Sequence, residues 1–164
     1  MKKYTLYILF MLIAVAMSVI IITNLFEQES DTPDESFTVT LSVHCDALLG
    51  NMHLLDADLH EFVPDSGIIF PATIVTAHEG DSVFDILQRE LRNAGIPMVS
   101  SSLPGYNLRF VESINNISSF DAGPMSGWQY HINGESTLVG ASQYIVSPED
   151  IIEWSFTLDF SEDW

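Results

Sequence analysis

One cysteine, five histidines and 23 carboxylates are the side chains of this 164-residue chain best suited to nucleophilic, acid–base or metal-ligating chemistry. Cys45 follows His44 directly, but neighbours on an extended strand point to opposite faces, so the pair cannot work as nucleophile and base. A buried, inert thiol is the better reading of Cys45. With no second cysteine the chain cannot form an internal disulfide, and its core must hold the fold. His44, His53, His60, His78 and His131 show no metal-ligand spacing and read as solvated side chains. Asp56, Asp58 and Glu61 carry hard oxygens of the kind Ca²⁺ takes. The glycine-containing twelve-residue calcium loop is absent, so they read as a solvated acidic loop. There is no Gly-x-Ser-x-Gly elbow, phosphate-binding glycine loop, His-Glu-x-x-His or Cys-x-x-Cys pair. No catalytic residue, metal ligand or required cofactor is assigned, and binding rather than catalysis is the expectation.

Charge narrows the partners. All 23 acidic residues follow the apolar N-terminus, accompanied only by Arg89, Arg92 and Arg109, and the chain carries a net charge of −18. Such a field repels nucleic acid and favours cations or basic protein surfaces, such as a basic partner or a transporter subunit.

The N-terminus reads as an address and an anchor. Leu6 to Ile22 is uncharged, follows Lys2 and Lys3, and with Thr23 to Phe26 approaches the roughly 20 residues needed to cross a bilayer. The lysines belong on the cytoplasmic side, which places the rest outside. Ala14-Val15-Ala16 fits a signal-peptidase site, but the apolar run continues past it to Ile22, so a single-pass anchor through residues 4–26 is expected over a cleaved, secreted form. Residues 27–36 are acidic, contain Pro33 and read as an extended linker. The folded part is expected over 37–160, with an acidic tail at 161–164.

Periodicity places elements in that folded part. Phe37 to Val43 alternates as a half-buried strand, and Ile68 to Ala77 is a second strand that Pro71 confines to an edge or bulge. Asp46 to His60 is irregular or partly helical. Ser82 with Asp85 forms a capping box for a helix carrying Val83, Leu87 and Leu91, ended by Gly95 and Pro97. Arg89 and Arg92 suit the negative end of its dipole. Trp128 to Ile132 runs into the Asn133-Gly134 hairpin turn, with Thr137 to Val139 as the return strand. Ile152, Trp154, Phe156, Leu158 and Phe160 give a last strand with one dry face. The expected class is α+β, a mixed sheet of the ubiquitin-like β-grasp type with one main helix, preceded by the transmembrane helix.

Cys45-Asp46, the helix segment EGDSVFDIL at 79–87, Gly127-Trp128-Gln129-Tyr130 with Asn133-Gly134, Gly140-Ala141-Ser142-x-Tyr144 and Asp150-Ile151-Ile152-Glu153-Trp154 together resemble the transcobalamin-like C-terminal domain family. The resemblance covers roughly Thr38 to Leu158. It implies a non-catalytic binding module for cobalamin or another corrinoid, with Trp128, Tyr130, Val139, Gly140, Ser142 and Tyr144 facing the ligand. The large helical partner domain of the vitamin B12 carriers is not encoded in this chain. Val139 stands where such sequences place a glutamine, and Ala122 where many bacterial relatives place a cysteine. From the residues alone, Trp128 and Tyr130 at alternate positions read more readily as hairpin core than as a ligand platform. A surface protein-interaction or tethering module without a small-molecule ligand is the alternative function.

Overall fold

The computed structural model describes residues 36–103, 105 and 108–161, together with 4, 11 and 15–18. The chain divides into two compact units, Met1–Glu35 and Ser36–Trp164. In the first, Tyr4, Met11 and Val15 to Ser18 are helical and exposed. Most of the expected anchor at 4–26 and nearly all of the linker at 27–36 lie outside the described residues. Among the described residues no helix is long and apolar enough to cross a membrane.

The second unit is α+β. Strands β1 (Ser36–His44) and β2 (Ile68–His78) are followed by helix α1 (Val83–Ala94), then β3 (Met98–Leu103), β4 (Leu108–Ile114), β5 (Ile117–Ser118), β6 (Gly127–Ile132), β7 (Glu135–Ser136) and β8 (Ile151–Thr157). They form a five-stranded sheet of order β2-β1-β8-β6-β7 and a three-stranded sheet of order β3-β4-β5. β8 runs parallel to β1 and antiparallel to β6, so the last strand lies between the N-terminal pair and the Trp128 hairpin.

Pairing in the large sheet sets Leu41 beside Ile152 and Val43 beside Trp154, and it sets Trp128, Tyr130 and Ile132 opposite Phe156, Trp154 and Ile152. These residues share one face, which is why strict alternation in β1, β6 and β8 buries them together. Val83, Phe84, Ile86, Leu87 and Leu91 of α1, with Val111, Ile114 and Ile117 of the small sheet, join the same core. Pro71 sits in β2, the edge strand of the large sheet, where its missing N–H costs no ladder bond.

The capping box forms as the sequence requires. Ser82 Oγ accepts from Asp85 N at 3.2 Å, and the Asp85 carboxylate accepts from Ser82 N at 3.0 Å. Gly95 ends the helix at φ 70°, a left-handed conformation that costs glycine nothing. Gly67 is also left-handed, and a Cβ there would lie 2.6 Å from Asp46 Cα, where the chain returns beside Cys45.

Asp46 to His60 resolves into 3-10 turns at Asp46–Leu48, Met52–Leu54 and Ala57–Phe62, the partly helical stretch expected there. Two expectations change. The return strand after Asn133-Gly134 is Glu135–Ser136 and not Thr137 to Val139, because both turn residues have positive φ (54° and 81°) and a two-residue turn pairs its immediate flanks. β8 stops at Thr157, and Asp159 breaks the run before Phe160. The three-stranded sheet had no counterpart in the sequence reading. Its signals were Pro104-Gly105 between β3 and β4, and Asn115-Asn116, both at positive φ, between β4 and β5.

Candidate functional site

Trp128 and Tyr130 project from β6 into the sheet's dry face. Trp128 is 4% exposed, its indole N–H donates to the Ile117 carbonyl at 2.8 Å, and its ring meets Phe156 edge-on at 5.3 Å. Its polar atom is satisfied and its ring is enclosed, so the expectation that Trp128 faces a ligand gives way to a core role. Tyr130 is also buried, lying 5.4 Å from the Trp154 ring and 6.4 Å from that of Tyr144. Its hydroxyl donates to the Val139 carbonyl at 2.5 Å, and burial pushes the phenol up to about 12. Tyr130 therefore moors the loop after β7 and presents no face outward.

That loop, residues 137–146, spans the segment the resemblance singles out. Val83 N and Phe84 N, two of the N-terminal amides that a helix cannot satisfy itself, donate to the Tyr144 and Ala141 carbonyls, both at 3.0 Å. Val146 N donates to the Asp81 carbonyl, and Ser82 bridges Ile145. Ser142 Oγ accepts from Arg109 N at 3.0 Å, and a Cβ on Gly140 would meet Leu108 Cδ2 at 2.9 Å. Gly140, Ser142 and the backbone at Tyr144 thus join the loop to the start of α1 and to β4. Tyr144 itself is half-buried, packed against the core. Of the six predicted site residues Val139 is the most open, at 43% exposure. It stands beside Leu138, at 84%, and the same loop carries exposed Ile145. The sequence reading missed Leu138 and Ile145, although two adjacent apolar residues between polar neighbours were a visible signal.

Asn133 and Asp150 close the far end of the same hairpin. Asn133 Nδ2 donates to buried Asp150 at 3.0 Å, Asp150 accepts from Ser147 N at 2.8 Å, and Ile151 N donates to Asn133 Oδ1 at 2.9 Å. These motif residues fix where β8 begins.

Cys45 is fully buried, and burial first, with the Asp46 charge second, pushes its thiol up to about 11. His60 Nε2 is bonded to the Met52 carbonyl. A depression of about 320 Å³ on the polar face of the large sheet gathers His44, Asp46, His131, Glu153 and Ser155. Among the described residues no three His, Cys, Asp or Glu side chains converge to hold a metal ion.

Comparison with known proteins places this geometry. The family described as "Domain of unknown function (DUF4430)" matches residues 80–157. A search of curated proteins found no match. Among solved structures, haptocorrin in complex with Cbi is similar over 77% of this chain at 14% identity and a TM-score of 0.53. The match covers 26% of the haptocorrin chain, so this chain spans about a quarter of that protein. A protein from Ruminococcus gnavus ATCC 29149, described as a candidate metal-binding protein, matches over 74% of this chain and 96% of its own, at 14% identity and a TM-score of 0.42. The resemblance to transcobalamin-like C-terminal domains therefore holds at the level of the fold.

Proposed function

We propose that the folded unit is a non-catalytic binding module of the β-grasp type, held outside the cytoplasm by residues 4–26, whose ligand contacts lie on the 137–146 loop. One observation carries the reading. Leu138, Val139 and Ile145 expose apolar side chains on a loop whose backbone is already committed to the Tyr130 hydroxyl and to the helix N-terminus. A binding surface fixed before the ligand arrives loses little entropy on association. The fold shared with haptocorrin, a structure that contains Cbi, supports a corrinoid as the ligand. Val139 and Tyr144 then make the direct contacts. Trp128, Tyr130, Gly140 and Ser142 act from behind by holding the loop.

Isothermal titration of the full-length chain in detergent with cobalamin and cobinamide tests this. Saturable binding is expected, weakened about tenfold in Leu138→Ser/Val139→Ser with the melting temperature unchanged, since the removed side chains are exposed. Absence of heat with either corrinoid would overturn the reading. The excess of 18 acidic over basic residues favours a second one, a tether docking a basic protein or transporter subunit, whose association weakens as salt rises.

A further inference from the structure

The small sheet carries a groove of about 500 Å³, within the range of roughly 300 to 1,000 Å³ typical of small-molecule sites. It shares no lining residue with the 137–146 loop. Val99, Phe110 and Phe120 line it and are 53%, 42% and 59% exposed, an unusual amount of apolar surface to leave in a concavity.

Two departures from regular backbone shape it. Val99 pairs with Ser113 and Ser100 with Val111, which leaves Glu112 as an extra, unpaired residue in a β-bulge, a device that re-aims a side chain. Phe120 has φ 75°, a conformation that a bulky residue adopts only under constraint. It is held there by its own N–H donating to Ser126 O at 2.9 Å and its carbonyl accepting from Gly123 N at 3.2 Å. The strain maintains an exposed aromatic ring at the groove, where solubility alone would favour a polar side chain or glycine. Ser119 Oγ, on the same lining, is buried without a hydrogen-bond partner among the described residues.

Among the described residues the lining holds one carboxylate, Glu112, two phenyl rings and no basic residue. A carboxylate attracts a cation, phenyl faces bind cations through their quadrupoles, and the net charge of −18 draws cations toward the surface. We propose that this groove is a binding site for a small organic cation, an amine with an aromatic or aliphatic body, with Glu112 facing the ammonium and Phe110, Phe120 and Val99 receiving the body.

The test titrates the full-length chain in detergent with 2-phenylethylamine and, in parallel, with neutral 2-phenylethanol. Saturable binding of the amine and at least about tenfold weaker binding of the alcohol are expected, because the alcohol cannot pair with Glu112. Glu112→Gln should bring the amine down to the level of the alcohol, and Phe120→Ala should weaken both. Equal affinity for the two compounds, amine binding that survives Glu112→Gln, or no binding of the amine overturns the proposal.

Discussion

Tyr130 shows how a residue expected to touch a ligand can serve a site without facing it. Its hydroxyl spans from the sheet to the Val139 carbonyl, and its neutral form is favoured by burial. Tyr130→Phe should cost about 1 kcal/mol, the usual net worth of one hydrogen bond, and loosen Val139, measurable by denaturant unfolding and by amide exchange in the loop. Burial pushes the folded phenol up to about 12, from 10 for the free side chain. Stability from the neutral hydroxyl is therefore complete below about pH 10 and is lost as pH rises toward 12, a loss that Tyr130→Phe should remove. Phe120 presents the opposite case, an exposed side chain on a strained backbone. Phe120→Gly should raise stability by about 1 kcal/mol by relieving the left-handed strain, while lowering affinity for any occupant of the groove. Thermal unfolding that is unchanged or worse would show that the conformation carries no strain.

At the scale of elements, α1 is stitched at its N-terminus by three separate devices: the Ser82–Asp85 box, the Ala141 and Tyr144 carbonyls, and the Arg89–Asp81 ion pair at 2.8 Å. Ser82→Ala should cost about 1 kcal/mol in chemical denaturation, as loss of an N-cap usually does. Arg89 was expected to act on the helix dipole. Its guanidinium instead reaches Asp81, Glu90 and the Thr76 carbonyl, joining the helix to β2. Burial alone would raise the Asp81 carboxyl, but Arg89 and the His78 amide outweigh it and hold the group below the ordinary carboxylate value. Its contribution is therefore complete above about pH 4 and lost as pH falls through the depressed folded value. The stability gap between wild type and Asp81→Asn should be under about 1 kcal/mol at pH 7, given partial exposure of the pair, and should close as pH falls through the depressed folded value. A gap that persists in acid would mean that packing, not charge, was lost.

At the scale of the whole molecule, an anchored binding module of this charge should behave as a membrane protein with an acidic outer domain. After cell fractionation the full-length chain should pellet with membranes, resist extraction by high salt and alkali, and yield to detergent. A variant lacking residues 4–26 should appear in the soluble fraction. An external protease that cuts in the 27–36 segment of intact spheroplasts should release the folded unit. Recovery of the full-length chain in the soluble fraction would remove the anchor from the proposed function.

The α+β class, strands β1, β2, β6 and β8, helix α1 with both its caps, and the Asn133-Gly134 turn were legible in the sequence, because each depends on local periodicity or on side chains that act within a few residues. A mixed sheet was expected, but its order β2-β1-β8-β6-β7 was not read from the sequence, because it depends on β1 pairing with β8 across more than a hundred residues. The small sheet escaped notice because β3 is rich in serine and its pairing with β4 is interrupted by a bulge, so no face alternates cleanly. Tertiary structure alone decided the fate of the predicted site. An alternating Trp-x-Tyr reads the same whether its dry face meets a ligand or the protein interior, and only the packing of β8 against β6 put Trp128 and Tyr130 inside. The same holds for Gly140 to Tyr144, whose carbonyls were bound to serve some set of donors. Which set became clear only when the fold brought the N-terminus of α1 against them, leaving Leu138, Val139 and Ile145 to face outward.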